Sequence, residues 1–174
     1  MDKNDARRII IHSLRSVSNR DYHLYHRLFK LPQWRRAHVV AVTLSTSIEL
    51  DTQPIIDYAR QIDKQIVVPK IFPRRRMKFM RDDVKTHLRR NRLGILEPVE
   101  GAVVPKQQID LVIVPGLGFA LKTHDRLGFG GGYYDRYLKR CRAYKVALAR
   151  PSQLFQQPFW PVESNDVKMD VILY

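Results

Sequence analysis

Arg126-Leu-Gly-Phe-Gly-Gly-Gly-Tyr-Tyr-Asp135 gathers four of the chain's eight glycines into five positions, between an arginine and an aspartate. Upstream, Ile109 to Pro115 is an apolar, largely β-branched run that reads as a buried central strand. Downstream, Tyr134, Tyr137, Leu138 and Cys141 share one face of a helix running from Tyr133 to about Arg140. Strand, glycine-rich loop and helix in succession point to an α/β chain. Glycines let a backbone approach a ligand closely, and a loop opening into a helix turns its N–H groups toward one point. Such a point suits phosphate. Arg126 can fork onto phosphate oxygens and Asp135 can hold a magnesium ion beside them. On these residues alone a glycine run is also an ordinary tight turn. No Gly-Lys-Ser/Thr follows it, and no acidic residue stands where a dinucleotide fingerprint needs one.

Outward to the amino terminus, residues 3 to 17 read as a helix with Ala6, Ile9, Ile10, Leu14 and Val17 forming its apolar stripe. Lys3 and Arg7 share a face near its start, where cations oppose the helix dipole; by themselves they read as a solvated face. Asn19 to Lys30 is a second helix, with His23 and His26 on its surface. The run His38 to Leu44 is a strand covered on both faces, Ser45 to Glu49 the turn after it, and Thr52 to about Ile62 a helix with Ile55, Ile56, Ala59 and Ile62 inward. Gln65 to Pro69 completes a βαβ unit, which places Glu49 beyond the carboxyl end of a strand. Met77 to Met80 reads as a short strand, Asp82 to Arg89 as a charged turn or helix, and Gly94 to Pro98 as an extended ligand-side or packing segment. Further strands are expected at Lys145 to Ala149 and Asp170 to Tyr174, with a turn or short helix near Ser152 to Gln157. The expected fold is a three-layer α/β/α domain with a mostly parallel central sheet, one domain spanning 1–174.

Composition bounds the function. A hydrophobic content of 44% over 174 residues supports a real core without disulfide staples. The single cysteine, Cys141, and the lack of any long apolar run or signal-like segment point to a cytoplasmic protein with no membrane partner. The 31 Lys and Arg against 17 Asp and Glu leave a net charge of +14. That surface favours polyanions, either nucleic acid or small substrates bearing phosphates and carboxylates. The basic residues are dispersed, with clusters at Arg74 to Arg76, Lys85 to Arg92 and Lys139 to Arg142, and no nucleic-acid motif organises them; nucleic acid therefore ranks second.

Asp110-Leu-Val-Ile-Val-Pro-Gly-Leu-Gly-Phe119, followed by Arg126 to Asp135, resembles the 5-formyltetrahydrofolate cyclo-ligases, also called 5,10-methenyltetrahydrofolate synthetases. Lys3-x-x-x-Arg7, Leu44-Ser45 leading to Glu49 and Thr52, Gly94-Ile95-x-Glu97-Pro98, and Asn165-Asp166 with Asp170 extend the likeness over the whole chain. The resemblance implies an ATP- and magnesium-dependent conversion of 5-formyltetrahydrofolate into 5,10-methenyltetrahydrofolate, with ADP and phosphate released. It also implies residue roles. ATP would be held by Lys3, Arg7 and the run Arg126, Leu127, Gly128, Phe129, Gly130, Gly131, Gly132, Tyr133 and Tyr134. The folate would be met by Leu44, Glu49 and Leu93 and by Phe129 to Tyr133. Asp135 and Asp166 would bind magnesium, and Arg126 and Tyr133 would position and neutralise the reacting groups. The implied partners are small molecules only, and a monomer is expected. This sequence departs from the family pattern at Ala120, where aspartate is usual, and at His124, where glycine is usual. Histidine enters the left-handed backbone region more readily than most residues, so the turn at His124 can survive. Leu93 stands where some relatives carry a tryptophan.

Overall fold

The computed structural model describes Met1–Tyr174. In chain order it contains α1 (Lys3–Leu14), α2 (Tyr22–Lys30), α3 (Pro32–Arg36), β1 (Val39–Ala41), α4 (Gln53–Gln61), β2 (Gln65–Phe72), β3 (Arg76–Asp82), β4 (Leu88–Arg90), β5 (Leu96–Pro98) and β6 (Val103–Val104). There follow β7 (Leu111–Ile113), β8 (Gly118–Ala120), β9 (Arg126–Leu127), α5 (Tyr133–Leu138), β10 (Tyr144–Leu148), β11 (Leu154–Phe155) and β12 (Val171–Leu173). Seven strands form the main sheet in the order β12-β10-β7-β1-β2-β3-β6. The five from β12 to β2 run parallel, while β3 and β6 close one side antiparallel.

Alternation along the central strands explains why both faces are covered. Successive side chains of a strand point to opposite faces. Val40 and Val42, Ile66 and Val68, and Leu111 and Ile113 enter one core, packed with Leu24, Trp34, Ile55 and Ile56 from α2, α3 and α4. Ala41, Val67, Val112 and Val114 enter the opposite core, packed against Leu138 and Tyr134 of α5. The result is the expected α/β architecture with a mostly parallel sheet and helices on both faces. A third cluster joins Ala6, Ile10 and Leu14 of α1 to Leu117, Ala120, Leu127 and Trp160, beneath a small sheet in the order β11-β8-β9.

The differences from the sequence reading have local causes. α1 ends at Leu14, and only Ala6, Ile10 and Leu14 of its stripe are buried; Ile9 and Val17 face outward. Ile62 likewise lies past the end of α4 and is exposed. Asp2 caps α1 by accepting from Asn4 N at 2.7 Å and Asp5 N at 2.8 Å, which offsets the two cations in its first turns. The run through Met77 is longer than expected and pairs back on β2 over seven residues, Ile66↔Asp82 to Phe72↔Arg76. The charged segment 82–90 is a turn leading into β4, which forms a hairpin with β5. α3, β6, β8 and β9 were not anticipated, because two to five residues carry too little periodicity to read. His124 does take the left-handed conformation, with φ of 58°, held by its own N–H on Ala120 O at 2.8 Å and by Met169 N donating to His124 O at 2.9 Å.

The chain order of the parallel strands places the crevice. From β1 the chain moves through α4 to β2 on one side, and later returns to β7 on the other side of β1. The carboxyl ends of β1 and β7 are therefore the point where the winding direction reverses, the usual ligand position in open α/β sheets.

Candidate active site

A cavity of about 760 Å³ opens at that reversal. Thr43 and Leu44 after β1, Pro69 and Ile71 in β2, and Pro115 after β7 line its floor. Every site residue expected from the sequence also lines it: Lys3 and Arg7, Leu44 and Glu49, Leu93, the whole run Arg126 to Asp135, and Asp166. Segments up to 163 residues apart thus meet in one place.

One end of the cavity is cationic and rich in backbone amides. α1 brings Arg7 under the glycine loop, where its Nε donates to Gly128 O at 2.9 Å. Gly130 sits directly above that guanidinium with φ of 99°, and a Cβ there would come within 3.2 Å of it. Gly132 caps α5 at φ 64°, a left-handed conformation that turns the chain from loop into helix. α5 has only six residues, so it carries no long helix dipole toward the cavity. Lys3 Nζ lies 2.8 Å from Asp166 Oδ2 and 3.0 Å from Glu163 Oε1. Partial burial draws its pKa down, but the hydrogen bonds it donates to these two carboxylates outweigh that and hold it above the usual lysine value.

Arg126 is not a free cation at the cavity wall. Its side chain is only 3% exposed; Nη2 donates to Asp135 Oδ1 at 2.8 Å and Nη1 to Pro115 O at 3.0 Å. The guanidinium also lies 5.8 Å from the ring centre of Tyr134. Asp135 Oδ1 accepts in addition from Val167 N at 3.2 Å, which brings the aspartate beside the segment carrying Asp166. The buried Tyr134 hydroxyl has no hydrogen-bond partner, and burial, with the charge of Glu49 second, raises its pKa above the ordinary tyrosine value.

The other end is less polar: the expected Leu44, Glu49 and Leu93 are joined there by Met77, Asn91, Ile95 and Glu97. Glu49 Oε2 accepts from Thr46 N at 2.8 Å and Thr46 Oγ1 at 2.7 Å, so the carboxylate is fixed by its own turn. Leu93, at the tip of the β4–β5 hairpin, is 61% exposed. Beside it Glu97 Oε2 accepts from Ile71 N at 3.2 Å and Asn91 Nδ2 at 3.0 Å, fastening the hairpin to β2. Met77 and Ile95 add apolar surface. Of the two readings of Gly94 to Pro98, ligand-side or packing, the first holds for Ile95 and Glu97, which line the cavity; nothing in the sequence pointed to Asn91. Arg136, Lys139 and Asn165 complete the lining near the glycine loop.

The chemistry available is that of a polyanion held at one end beside a flatter, partly apolar guest at the other. No serine, cysteine or histidine in the lining is set up as a nucleophile with an adjacent base. Comparison with known proteins agrees with this arrangement. The profile of the 5-formyltetrahydrofolate cyclo-ligase family matches residues 4–174. The 5-formyltetrahydrofolate cyclo-ligase of Escherichia coli K12 is 34% identical over 154 residues, covering 84% of this chain and 83% of the relative. The mouse (Mus musculus) 5-formyltetrahydrofolate cyclo-ligase is 33% identical over 156 residues, covering 82% and 75%. Among solved structures, the 5,10-methenyltetrahydrofolate synthetase of Aquifex aeolicus superposes with a TM-score of 0.84 at 30% identity, over 99% of this chain and 89% of the other. A second, from Mycoplasma pneumoniae, shares the fold at 24% identity with a TM-score of 0.79. The chain therefore belongs to the 5-formyltetrahydrofolate cyclo-ligase family.

Proposed function

We propose that this protein converts 5-formyltetrahydrofolate into 5,10-methenyltetrahydrofolate, consuming ATP and releasing ADP and phosphate, as one domain acting as a monomer in the cytoplasm. The observation that carries the reading is one cavity of about 760 Å³ with a cation-lined end beside the glycine loop and a less polar end with a fixed carboxylate. A volume of this size lies toward the upper part of the roughly 300–1,000 Å³ range of small-molecule sites.

In this reading Lys3, Arg7, Arg126 and the loop from Leu127 to Tyr134 hold the triphosphate, while Leu44, Glu49, Leu93 and Phe129 to Tyr133 hold the folate. The N5-formyl oxygen attacks the γ-phosphorus; an oxygen–phosphorus bond forms and the bond to ADP breaks. N10 then adds to the activated formyl carbon, phosphate leaves with the oxygen, and the N10 proton passes to solvent, leaving the methenyl bridge. The protein forms no covalent bond with substrate. Its contribution is alignment of two bound reactants and neutralisation of phosphoryl charge. Arg126 and Tyr133 flank the reacting groups.

Asp135 and Asp166 fit a magnesium ion. Both are hard oxygen donors lining one cavity, Asp135 Oδ2 makes no hydrogen bond within the chain, and Asp135 Oδ1 accepts from the N–H of Val167, the residue after Asp166. No three His, Cys, Asp or Glu side chains gather at one point, so phosphate oxygens and water would complete the shell. Bound there, the ion would offset phosphate charge. The deciding experiment follows the absorbance of methenyltetrahydrofolate on mixing protein, magnesium, ATP and 5-formyltetrahydrofolate. Product is expected to appear with ATP and not without it; no product with ATP would overturn the reading.

A further inference from the structure

Arg150, two residues beyond β10, is 1% exposed and makes no salt bridge. Its three donors all go to neutral oxygens: Nη1 to Ser18 O at 3.0 Å, Nη2 to Ile48 O at 2.6 Å and Nε to Gln153 Oε1 at 3.3 Å. Burial lowers its pKa from the ordinary arginine value, with the charge of Glu49 opposing that shift most strongly. A cation buried against carbonyls alone is costly, and an apolar side chain of similar volume would fill the same space. What the guanidinium does that an apolar chain cannot is hold two turns at fixed positions.

One of those turns carries Glu49. The Ile48 carbonyl that Arg150 grips immediately precedes it, and the Glu49 carboxylate has one oxygen tied to Thr46 and the other making no hydrogen bond within the chain. The same arginine orients Gln153, whose Nε2 donates to Gly116 O at 2.7 Å, next to the Pro115 carbonyl that takes Arg126. Arg150 thus stands behind two walls of the cavity without touching its interior. We propose that Arg150 is a positioning residue for the folate, acting through Ile48 to place the free oxygen of Glu49. The inference rests on the reading that Glu49 contacts the folate.

The test is calorimetric titration of 5-formyltetrahydrofolate, without ATP, into the wild-type protein and into Arg150→Met, Arg150→Lys, Glu49→Gln and Arg150→Met/Glu49→Gln. Methionine keeps the volume and removes the fork, and lysine keeps the charge but cannot span both carbonyls in one plane. A displaced contact of this kind is expected to weaken binding about tenfold in Arg150→Met, with partial recovery in Arg150→Lys. The double variant should bind no more weakly than Glu49→Gln alone, because the two changes act on one contact. Affinity for Mg-ATP, measured on the same proteins, should stay within about twofold. Unchanged folate affinity in Arg150→Met, or a double variant in which the two losses add, overturns the inference. A merely structural arginine would lower the thermal midpoint and leave the folate Kd of the folded protein unmoved. Should Arg150→Met fail to fold, Arg150→Lys decides by the same criteria. A wild-type protein that binds no folate sinks the functional reading itself, a result distinct from equal binding by wild type and variant.

Discussion

Arg126 illustrates how a side chain read as a phosphate contact can also hold the scaffold. Its guanidinium bridges Asp135 and the Pro115 carbonyl, so it joins the end of one parallel strand to the start of α5. Arg126→Ala is therefore expected to act twice. Turnover should fall by about 10²–10³-fold, as when one preorganised charge-stabilising donor is removed. Stability should fall by about 2 kcal/mol, because Asp135 and the Pro115 carbonyl lose a charged donor. Urea unfolding and steady-state rates, both taken well below the transition temperature, separate the two. Neither partner of Arg126 was legible in the sequence: the pairings join positions nine and eleven apart across turns with no periodic pattern. Lys3 and Arg7 were similarly opaque on their own chemistry. Helical spacing shows that they share a face, and only the folded chain shows that the face meets Asp166 and Gly128.

Among the secondary-structure elements, what could be read followed burial. The strands of the parallel core are apolar on both faces, and α4 repeats its buried positions at helical spacing, so these stood out. β4, β8 and β9 run to two or three residues, and β4 is fully exposed with two arginines, which left no pattern to follow. The β4–β5 hairpin nevertheless walls the cavity, held through Glu97 instead of through a core. The glycine loop shows the opposite balance: its composition announced a special backbone, and its geometry depends on Gly132. An alanine there would have to keep φ near 64° and push aside Arg136, whose Nη1 lies 2.8 Å from the position a Cβ would take. Left-handed backbone costs a side-chain-bearing residue about 1–2 kcal/mol. Gly132→Ala should thus lose about that much stability in denaturant titration and at least tenfold in turnover, since the loop amides would swing with the displaced helix start.

For the molecule as a whole, the net charge of +14 is compatible with two polyanionic substrates, and the cationic side chains in the cavity give that charge a local use. No helix is long and apolar enough to cross a membrane. Among the tyrosines whose burial makes stability fall at high pH, Tyr25 joins two distant segments. The Tyr25 hydroxyl on α2 donates to Asp51 O at 2.7 Å, and burial pushes its pKa from 10.0 up to about 12. A folded-state pKa above the unfolded value means that the contribution is complete below pH 10 and is lost as pH rises from 10 toward about 12. Tyr25→Phe should start lower at neutral pH by about 1 kcal/mol for the missing hydrogen bond. It should then decline less steeply than wild type between pH 10 and 12, and denaturant midpoints measured across that range compare the two directly.

The margins of the main sheet consist of β12, three residues long, and β6, two residues long and followed at once by Pro105. So short a fringe, stopped by a residue without an amide hydrogen, gives a neighbouring copy almost nothing to zip onto. Strand-to-strand stacking into fibrils is thereby discouraged at its first step, and crowded preparations of the folded protein should stay clear.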